Sequence, residues 1–174
     1  MDTDLLSAGD HADIAAVCVR FAWCLDDRRW GDLEAMFGPA VDVDYTDLFG
    51  GGAVKATPGE LVAASRRLLE TLDRTQHFVA GHLVSGQGDQ ATCRSQVIAT
   101  HTYAAARLGD RIWTVGGSYT MELARTAAGW LITGLRFTLA WSSGNHEIVR
   151  QSRAAHWARK IGVHDVPAAA TMVL

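Results

Sequence analysis

The class of fold is most clearly indicated by the stretch QHFVAGHLVSGQGDQATCRSQVIATHTY, residues Gln76–Tyr103. It contains a run of residues at 76–84 and the start of another at 90–106, both rich in apolar and β-branched side chains. Such runs are typical of strands. The sequence between them, Gly86-Gln87-Gly88-Asp89, is typical of a turn. The stretch therefore predicts an antiparallel hairpin.

The same pattern continues towards the C-terminus. Two further strand-like runs occupy residues 111–123 and 129–141, after the turn sequences Leu108-Gly109-Asp110 and Ala127-Ala128-Gly129. We therefore expect an antiparallel meander of four long strands. Gly116-Gly117 lies inside the third of these strands, where glycine usually marks a bend or a bulge.

The chain before the meander is predicted to be mainly helical. Residues 10–25 place apolar side chains at three- and four-residue intervals, which indicates an amphipathic helix. A second helix is expected over Trp30–Phe37, ending at Gly38-Pro39. Thr57-Pro58-Gly59-Glu60 has the capping pattern that opens a third helix.

Shorter features complete the pattern. Val41–Tyr45 alternates apolar and polar residues, as a half-buried strand does, and Gly50-Gly51-Gly52 predicts a flexible loop. Residues 147–161 are predicted to form a helix, and the last ten residues a loosely ordered tail. Helices followed by a meander favour an α+β fold, with the helices on one face of a curled sheet. We expect one domain: residues 1–145 as its α+β body, and residues 146–174 as a C-terminal helix and tail of the same domain.

Composition limits the classes of partner. The 174 residues carry a net charge of −3 with scattered Lys and Arg, so binding to nucleic acid is not expected. The sequence has neither a basic, apolar leader nor 18 consecutive apolar residues, which favours a cytoplasmic protein with no membrane partner. Cys18, Cys24 and Cys93 form no CxxC pair, and we interpret them as reduced, buried thiols.

Strand parity selects the candidate functional residues, because residues two apart share a face. His77 alternates with Val79, Gly81 and Leu83, and is therefore expected to point inward. By the same parity His101, Tyr45 and Tyr119 point inward from three other strands.

The end of the first helix offers a carboxylate for these rings. Asp26 is about 110° from the centre of the apolar stripe, whereas Asp27 is about 150° away, so Asp26 is expected to turn inward. A buried carboxylate beside an imidazole fixes the tautomer of the histidine and stabilises its protonated form. Asp26 and His77 are therefore candidates for a general-base pair. The alternative is that each ring is merely hydrogen-bonded within the core.

Other chemistries find little support. The sequence has no GxSxG, HExxH or P-loop motif and no dinucleotide-binding GxGxxG, so no cofactor is expected. On one regular strand His77 and His82 would face opposite ways, and no third ligand with suitable spacing is evident for a metal shared by His77 and His101. No metal site is therefore predicted.

Several short motifs resemble those of a known family. They are Phe21–Asp26, then Trp30 with Leu33 and Phe37, then Val43–Tyr45, Arg74–Phe78, Gly117–Tyr119 with Glu122, and Gly129-Trp130. In order and spacing they are similar to the SnoaL-like branch of the nuclear-transport-factor-like superfamily, over residues 10–145. Within it, the scytalone dehydratases and hexachlorocyclohexane dehydrochlorinases are the most similar.

The resemblance implies a cone-shaped barrel, with a curved antiparallel or mixed sheet packed against three N-terminal helices. It also implies a dehydratase: a cofactor-independent lyase that removes water from a hydroxylated cyclic ketone of polyketide or steroid type. The implied catalytic residues are His77, Asp26, His101 and Tyr45, and the implied substrate-binding residues are Tyr119, Trp23, Phe78 and Trp141.

Two departures limit the resemblance. Leu25 stands where the dehydratases have a second water-holding tyrosine, and Tyr119 where they have a substrate-binding asparagine, so the substrate does not carry over. An isomerase or polyketide cyclase remains an alternative, as does a non-catalytic subunit like the small chain of ring-hydroxylating dioxygenases. The resemblance further implies a homotrimer or homodimer that packs through the open sheet face.

Overall fold

The structure is a computed structural model that describes residues 5–152. The elements follow one another as α1 (Ala8–Asp26), α2 (Trp30–Glu34), β1 (Phe37–Asp44), α3 (Thr46–Phe49), β2 (Val54–Ala56), α4 (Pro58–Leu69), β3 (Arg74–Gln87), β4 (Gln90–Thr102), β5 (Ile112–Thr126) and β6 (Gly129–Gly144). Residues 147–152 are also helical. The rest of the predicted C-terminal helix and the tail lie outside the described residues.

The strands form one curved, mixed sheet in the order β2-β1-β6-β5-β4-β3. The β1–β6 pair is parallel and the other pairs are antiparallel. The sheet is not closed, because β2 and β3 are its edges. The predicted α+β class and the antiparallel meander are confirmed.

Helix α1 covers the inner face of the sheet. Its buried side chains repeat every three or four residues: Ile14, Val17, Cys18, Phe21, Ala22, Cys24 and Leu25. They join a single core with the inward side chains of the strands.

A capping box of Ser7 and Asp10 opens α1, and the predicted box of Thr57 and Glu60 opens α4. Within residues 5–152, no helix is long and apolar enough to cross a membrane.

The region between α1 and α4 differs from the prediction. Helix α2 ends at Glu34, and Gly38-Pro39 lies inside β1 instead of ending a helix. Pro39 is accommodated because the β1–β6 register shifts between Phe37 and Asp42, where the ladder needs fewer N–H donors. The short elements α3 and β2 flank the triple glycine and were not predicted.

Two irregularities shape the long strands. The β5–β6 register shifts at Gly116/Gly117, as predicted, and a Cβ on Gly116 would come within 2.1 Å of the Trp141 ring. The β3–β4 register shifts between Ala80 and Leu83, where Gly81 has a φ of 64°. The predicted inward position of Leu83 is wrong, because this bulge reverses the alternation and leaves Leu83 68% exposed.

Candidate active site

The last residue of α1, Asp26, points into the core towards the start of β3. Its side chain is 15% exposed, and the His77 side chain is 6% exposed. Asp27 is the C-cap residue and is exposed, as the helical geometry predicted. The structure therefore brings Asp26 and His77 together at the junction of α1 and β3.

Both oxygens of the Asp26 carboxylate bind residue 77. His77 Nδ1 lies 2.7 Å from Oδ1, and the backbone N–H of His77 donates to Oδ2 at 2.7 Å. Thr75 Oγ1 also donates to Oδ1, at 3.0 Å. Because an ionised carboxylate only accepts hydrogen bonds, these contacts place the His77 proton on Nδ1. Nε2, on the far side of the ring, is then left as the proton acceptor.

The electrostatic balance keeps this carboxylate ionised. Burial raises the pKa of Asp26, but the hydrogen bonds and charge of His77, together with the Thr75 hydroxyl, more than offset burial and hold the pKa below its ordinary value. An ionised Asp26 stabilises the imidazolium that His77 becomes when it accepts a proton.

Arg28 fixes the junction that carries the pair. It has a positive φ of 59°, and its guanidinium donates to the carbonyls of Leu25 and Leu69 and to Thr75 Oγ1. Burial lowers the pKa of Arg28. Neither Arg28 nor Thr75 was predicted from the sequence. Thr75 shares the parity of His77, which was a usable signal, whereas nothing in the sequence marks Arg28.

His101 lies beside this pair in β4 and is buried. Its ring centroid is 5.7 Å from that of His77 at 85°, and it stacks on Trp113 at 4.9 Å. Its Nδ1–H donates to the Trp113 carbonyl at 3.3 Å, which leaves Nε2 as an acceptor. Burial and the neighbouring His77 lower the pKa of His101 to about 4, so this ring is neutral near pH 7.

Tyr45 and Tyr119 meet in an aromatic cluster on the same inner face. Their ring centroids are 6.4 Å apart, and both rings contact Phe137, at 5.9 and 5.5 Å. Burial raises the pKa of the Tyr45 hydroxyl well above its ordinary value and that of Tyr119 to about 12. The Asp26 charge also raises the pKa of Tyr119 slightly. Both hydroxyls therefore stay protonated, and a hydrogen bond between them leaves one O–H of the pair to donate to another group.

Three of the expected substrate-binding residues lie elsewhere. Trp23 on α1 is 60% exposed, Phe78 on β3 is 65% exposed and Trp141 on β6 is 46% exposed. Phe78 is the direct chain neighbour of His77 and so points to the opposite face of the sheet. The other five expected site residues lie inside the fold, and we call them the inward cluster: Asp26, His77, His101, Tyr45 and Tyr119.

A separate groove of about 570 Å³ lies outside this cluster. Residues of α1, α2 and the β5–β6 turn line it, including Arg20, Met36 and Trp130. None of its lining residues belongs to the inward cluster, and we place the candidate site at the cluster because the perturbed, hydrogen-bonded groups converge there.

Comparison with solved structures shows the same fold. The Kfla4162 protein of Kribbella flavida is 27% identical, with a TM-score of 0.77 over 82% of this chain and 97% of its own. A candidate scytalone dehydratase of Novosphingobium aromaticivorans is 18% identical, with a TM-score of 0.66 over 78% of this chain and 87% of its own. A type 2 hexachlorocyclohexane dehydrochlorinase (LinA) is 15% identical, with a TM-score of 0.66 over 79% of this chain and 89% of its own.

The family comparison covers most of the chain. The profile of the SnoaL-like domain matches residues 7–136, which span α1 to β6 and include every residue of the inward cluster. The chain belongs to the SnoaL-like domain family.

Proposed function

We propose that the protein is a cofactor-independent lyase that removes water from a hydroxylated cyclic ketone of polyketide or steroid type. The observation that carries this proposal is that both oxygens of the Asp26 carboxylate hydrogen-bond to His77, one to its backbone N–H and one to Nδ1. These contacts leave Nε2 of the ring to act as a general base. A base of this kind typically contributes about 10²- to 10⁴-fold to the rate.

In the proposed reaction, His77 Nε2 takes the proton from the carbon next to the ketone. The electron pair of that C–H bond forms the new C=C bond, and the C–O bond to the hydroxyl breaks with its electrons on oxygen. The His77 imidazolium then returns the proton to this oxygen, which leaves as water. No oxidant, reductant or metal enters the balance.

The neighbouring groups have separate parts in this proposal. The negative charge that develops on the ketone oxygen needs a hydrogen-bond donor, and the high pKa values of Tyr45 and Tyr119 keep both hydroxyls protonated, which leaves one O–H of the pair to donate. Neutral His101 accepts a hydrogen bond from the substrate hydroxyl at Nε2, because its Nδ1–H is already given to Trp113. This contact orients the hydroxyl, and the proton that lets it leave as water comes from the His77 imidazolium.

The similar structures support an elimination. Two of them are named as a candidate scytalone dehydratase and a dehydrochlorinase, names that denote loss of water and of hydrogen chloride. Both reactions begin with a proton leaving carbon, which suits a histidine base. The apolar and aromatic surroundings of the cluster suit a ring substrate.

We also propose that the chain forms a homodimer or homotrimer through the outer face of its sheet. Phe78 and Ile98 are direct partners across β3 and β4, and they are 65% and 45% exposed on that face. Exposed apolar pairs of this kind are typical of interfaces.

The test is an incubation with a panel of cyclic β-hydroxy ketones in deuterated buffer. Water loss and α-carbon exchange are followed for the parent protein, for His77→Ala and for the control His11→Ala, whose side chain is exposed on α1. We expect water loss in the parent and the control but not in His77→Ala. His77-dependent exchange without water loss would instead indicate an isomerase or cyclase. Elimination that survives in His77→Ala would refute the proposed base.

A further inference from the structure

A second group of ionisable side chains lies inside the fold, away from the Asp26–His77 pair. It consists of Cys18 on α1, His82 on β3 and Cys93 on β4, and we call it the thiol–imidazole cluster. One potential ligand atom from each residue lies within 4.8 Å of the other two. Cys18 is eight residues before Asp26 on the same helix, so the cluster is about 12 Å along α1 from the candidate active site.

The bulge at Gly81 brings His82 into this cluster. On a regular strand His82 would share the outward face of Phe78, since the two residues have the same parity. The extra residue at Gly81 shifts the alternation, so His82 is half-buried and turns inward. The prediction that His77 and His82 face opposite ways is therefore wrong, because it required a regular strand.

A fourth polar side chain holds the imidazole in place. Ser95 is buried on β4, and its Oγ lies 2.7 Å from His82 Nδ1 and 3.7 Å from Cys93 Sγ. A hydroxyl in this position orients the imidazole, as outer partners do at metal sites. The cluster therefore has three potential ligands and a group that positions one of them.

The chemistry of the donors selects a class of ion. Sulfur and imidazole nitrogen favour zinc-like ions over magnesium or calcium, which need several oxygen ligands. No Asp or Glu among the described residues belongs to the cluster. Two thiolates cancel the charge of a divalent ion, and a site without net charge suits this burial, since Cys18 and Cys93 are 1% and 0% exposed.

We propose that Cys18, Cys93 and His82 bind one zinc-like divalent cation. Binding replaces the two thiol protons, which pass to the solvent, and changes no oxidation state. The ion enters past His82, the half-buried member, and links α1 to β3 and β4. Its role is to stabilise the fold, independently of the proposed lyase reaction.

The experiment uses the full chain without a histidine tag, reduced and stripped of metal by a chelator. Titration with Co²⁺ is expected to give thiolate-to-cobalt charge-transfer absorption that saturates at one ion per chain and is displaced by Zn²⁺. Zinc at about a hundred times its dissociation constant is expected to raise the melting temperature by about 5 to 10 °C.

Three variants locate the site. Cys93→Ser and His82→Asn are expected to lose the cobalt absorption and the zinc-dependent rise in melting temperature. Cys24→Ser is the matched control, since Cys24 is also a buried thiol of α1 but lies outside the cluster, and it should keep both signals. A melting curve recorded without metal checks that each variant folds. If Cys93→Ser does not fold, because it changes a buried residue, His82→Asn still tests the site.

Several results would overturn the proposal. They are absence of the cobalt absorption in the parent protein, binding that survives in His82→Asn, and binding that Cys24→Ser abolishes. A Cys18–Cys93 disulfide, found by mapping peptides of the unreduced protein as purified, would also overturn it, because bonded sulfurs no longer provide thiolate ligands.

Discussion

At the scale of single residues, the position of the catalytic candidates follows from two periodicities. Helical geometry separated Asp26 from its neighbour Asp27, and strand parity placed His77 and His101 inward, where the structure has them. Neither rule identifies Arg28, because its contribution depends on a left-handed backbone conformation and on carbonyls distant in sequence. Such a contact is decided by packing and leaves no local pattern.

Replacing Asp26 by Asn tests the role of the carboxylate. The amide presents N–H groups where His77 Nδ1–H needs an acceptor, so the ring is expected to take the other tautomer, with its proton on Nε2. We then expect the rate of α-carbon exchange to fall by about 10³- to 10⁴-fold. Asp27→Asn is the matched control, because that side chain is exposed at the helix end and should leave the rate unchanged. Equal rates in the parent and Asp26→Asn would show that the carboxylate does not act through His77.

The buried His101 predicts how stability depends on pH. Its pKa is lowered from 6.5 to about 4, so the unfolded chain takes up this proton at a higher pH than the folded chain does. The stability associated with His101 is therefore complete above about pH 6.5 and falls as the pH drops towards 4. Between pH 7 and pH 5 the loss is expected to be about 2 kcal/mol.

Urea unfolding of the parent and of His101→Gln at these two pH values measures that loss. The variant has no titrating group at this position, so its stability should fall by about 2 kcal/mol less over the same interval. The Asp26 carboxylate does not contribute to the difference between pH 7 and pH 5. Its pKa is lowered in the folded chain, so protonation of Asp26 reduces stability only below about pH 4. An equal fall in both proteins would show that His101 is not the group responsible.

At the scale of elements, the strands were predicted better than their irregularities. The sequence pattern predicted β3 and β4, but alternation placed Leu83 and His82 on the wrong faces of the sheet. One added residue at Gly81 reverses the face to which each later side chain of β3 points. The glycine itself was the available signal, because glycine inside a strand often marks a bulge. The same signal was interpreted correctly at Gly116-Gly117.

Gly81→Ala measures what the bulge requires of the backbone. The new Cβ would lie 3.8 Å from Gln96 Cγ, so space is available and the cost comes from the φ of 64°. We expect a loss of about 1 kcal/mol in the free energy of unfolding, measured in urea. Gly31→Ala makes the same chemical change in α2, with no atom within 4 Å and no positive φ, and is expected to be neutral or stabilising by up to about 1 kcal/mol. A similar effect of both changes would exclude backbone strain at Gly81.

At the scale of the whole molecule, the order of elements was sufficient for the class of fold. Helices before a meander predicted the α+β arrangement, whereas the parallel β1–β6 pair was not predicted from the residues because it joins segments about 90 residues apart. The sheet stays open, with β3 as an edge that presents Phe78 outward. An unpaired sheet edge and an exposed apolar face promote aggregation unless another chain or segment covers them.

Phe78→Lys and Ile98→Lys, made together, test whether a second copy provides that cover. Lysines on an outer face next to a sheet edge oppose association through charge and hydration, and exposed substitutions of this kind should change the stability of one chain by no more than about 0.5 kcal/mol each. Light scattering during size-exclusion chromatography is expected to give a dimer or trimer for the parent and one chain for the variant. Leu108→Lys is the control, because Leu108 is 63% exposed in the loop between β4 and β5, outside the paired strands. This variant should keep the parent mass. A monomeric parent, or a variant that keeps the parent mass, would mean that this face is not the contact between copies.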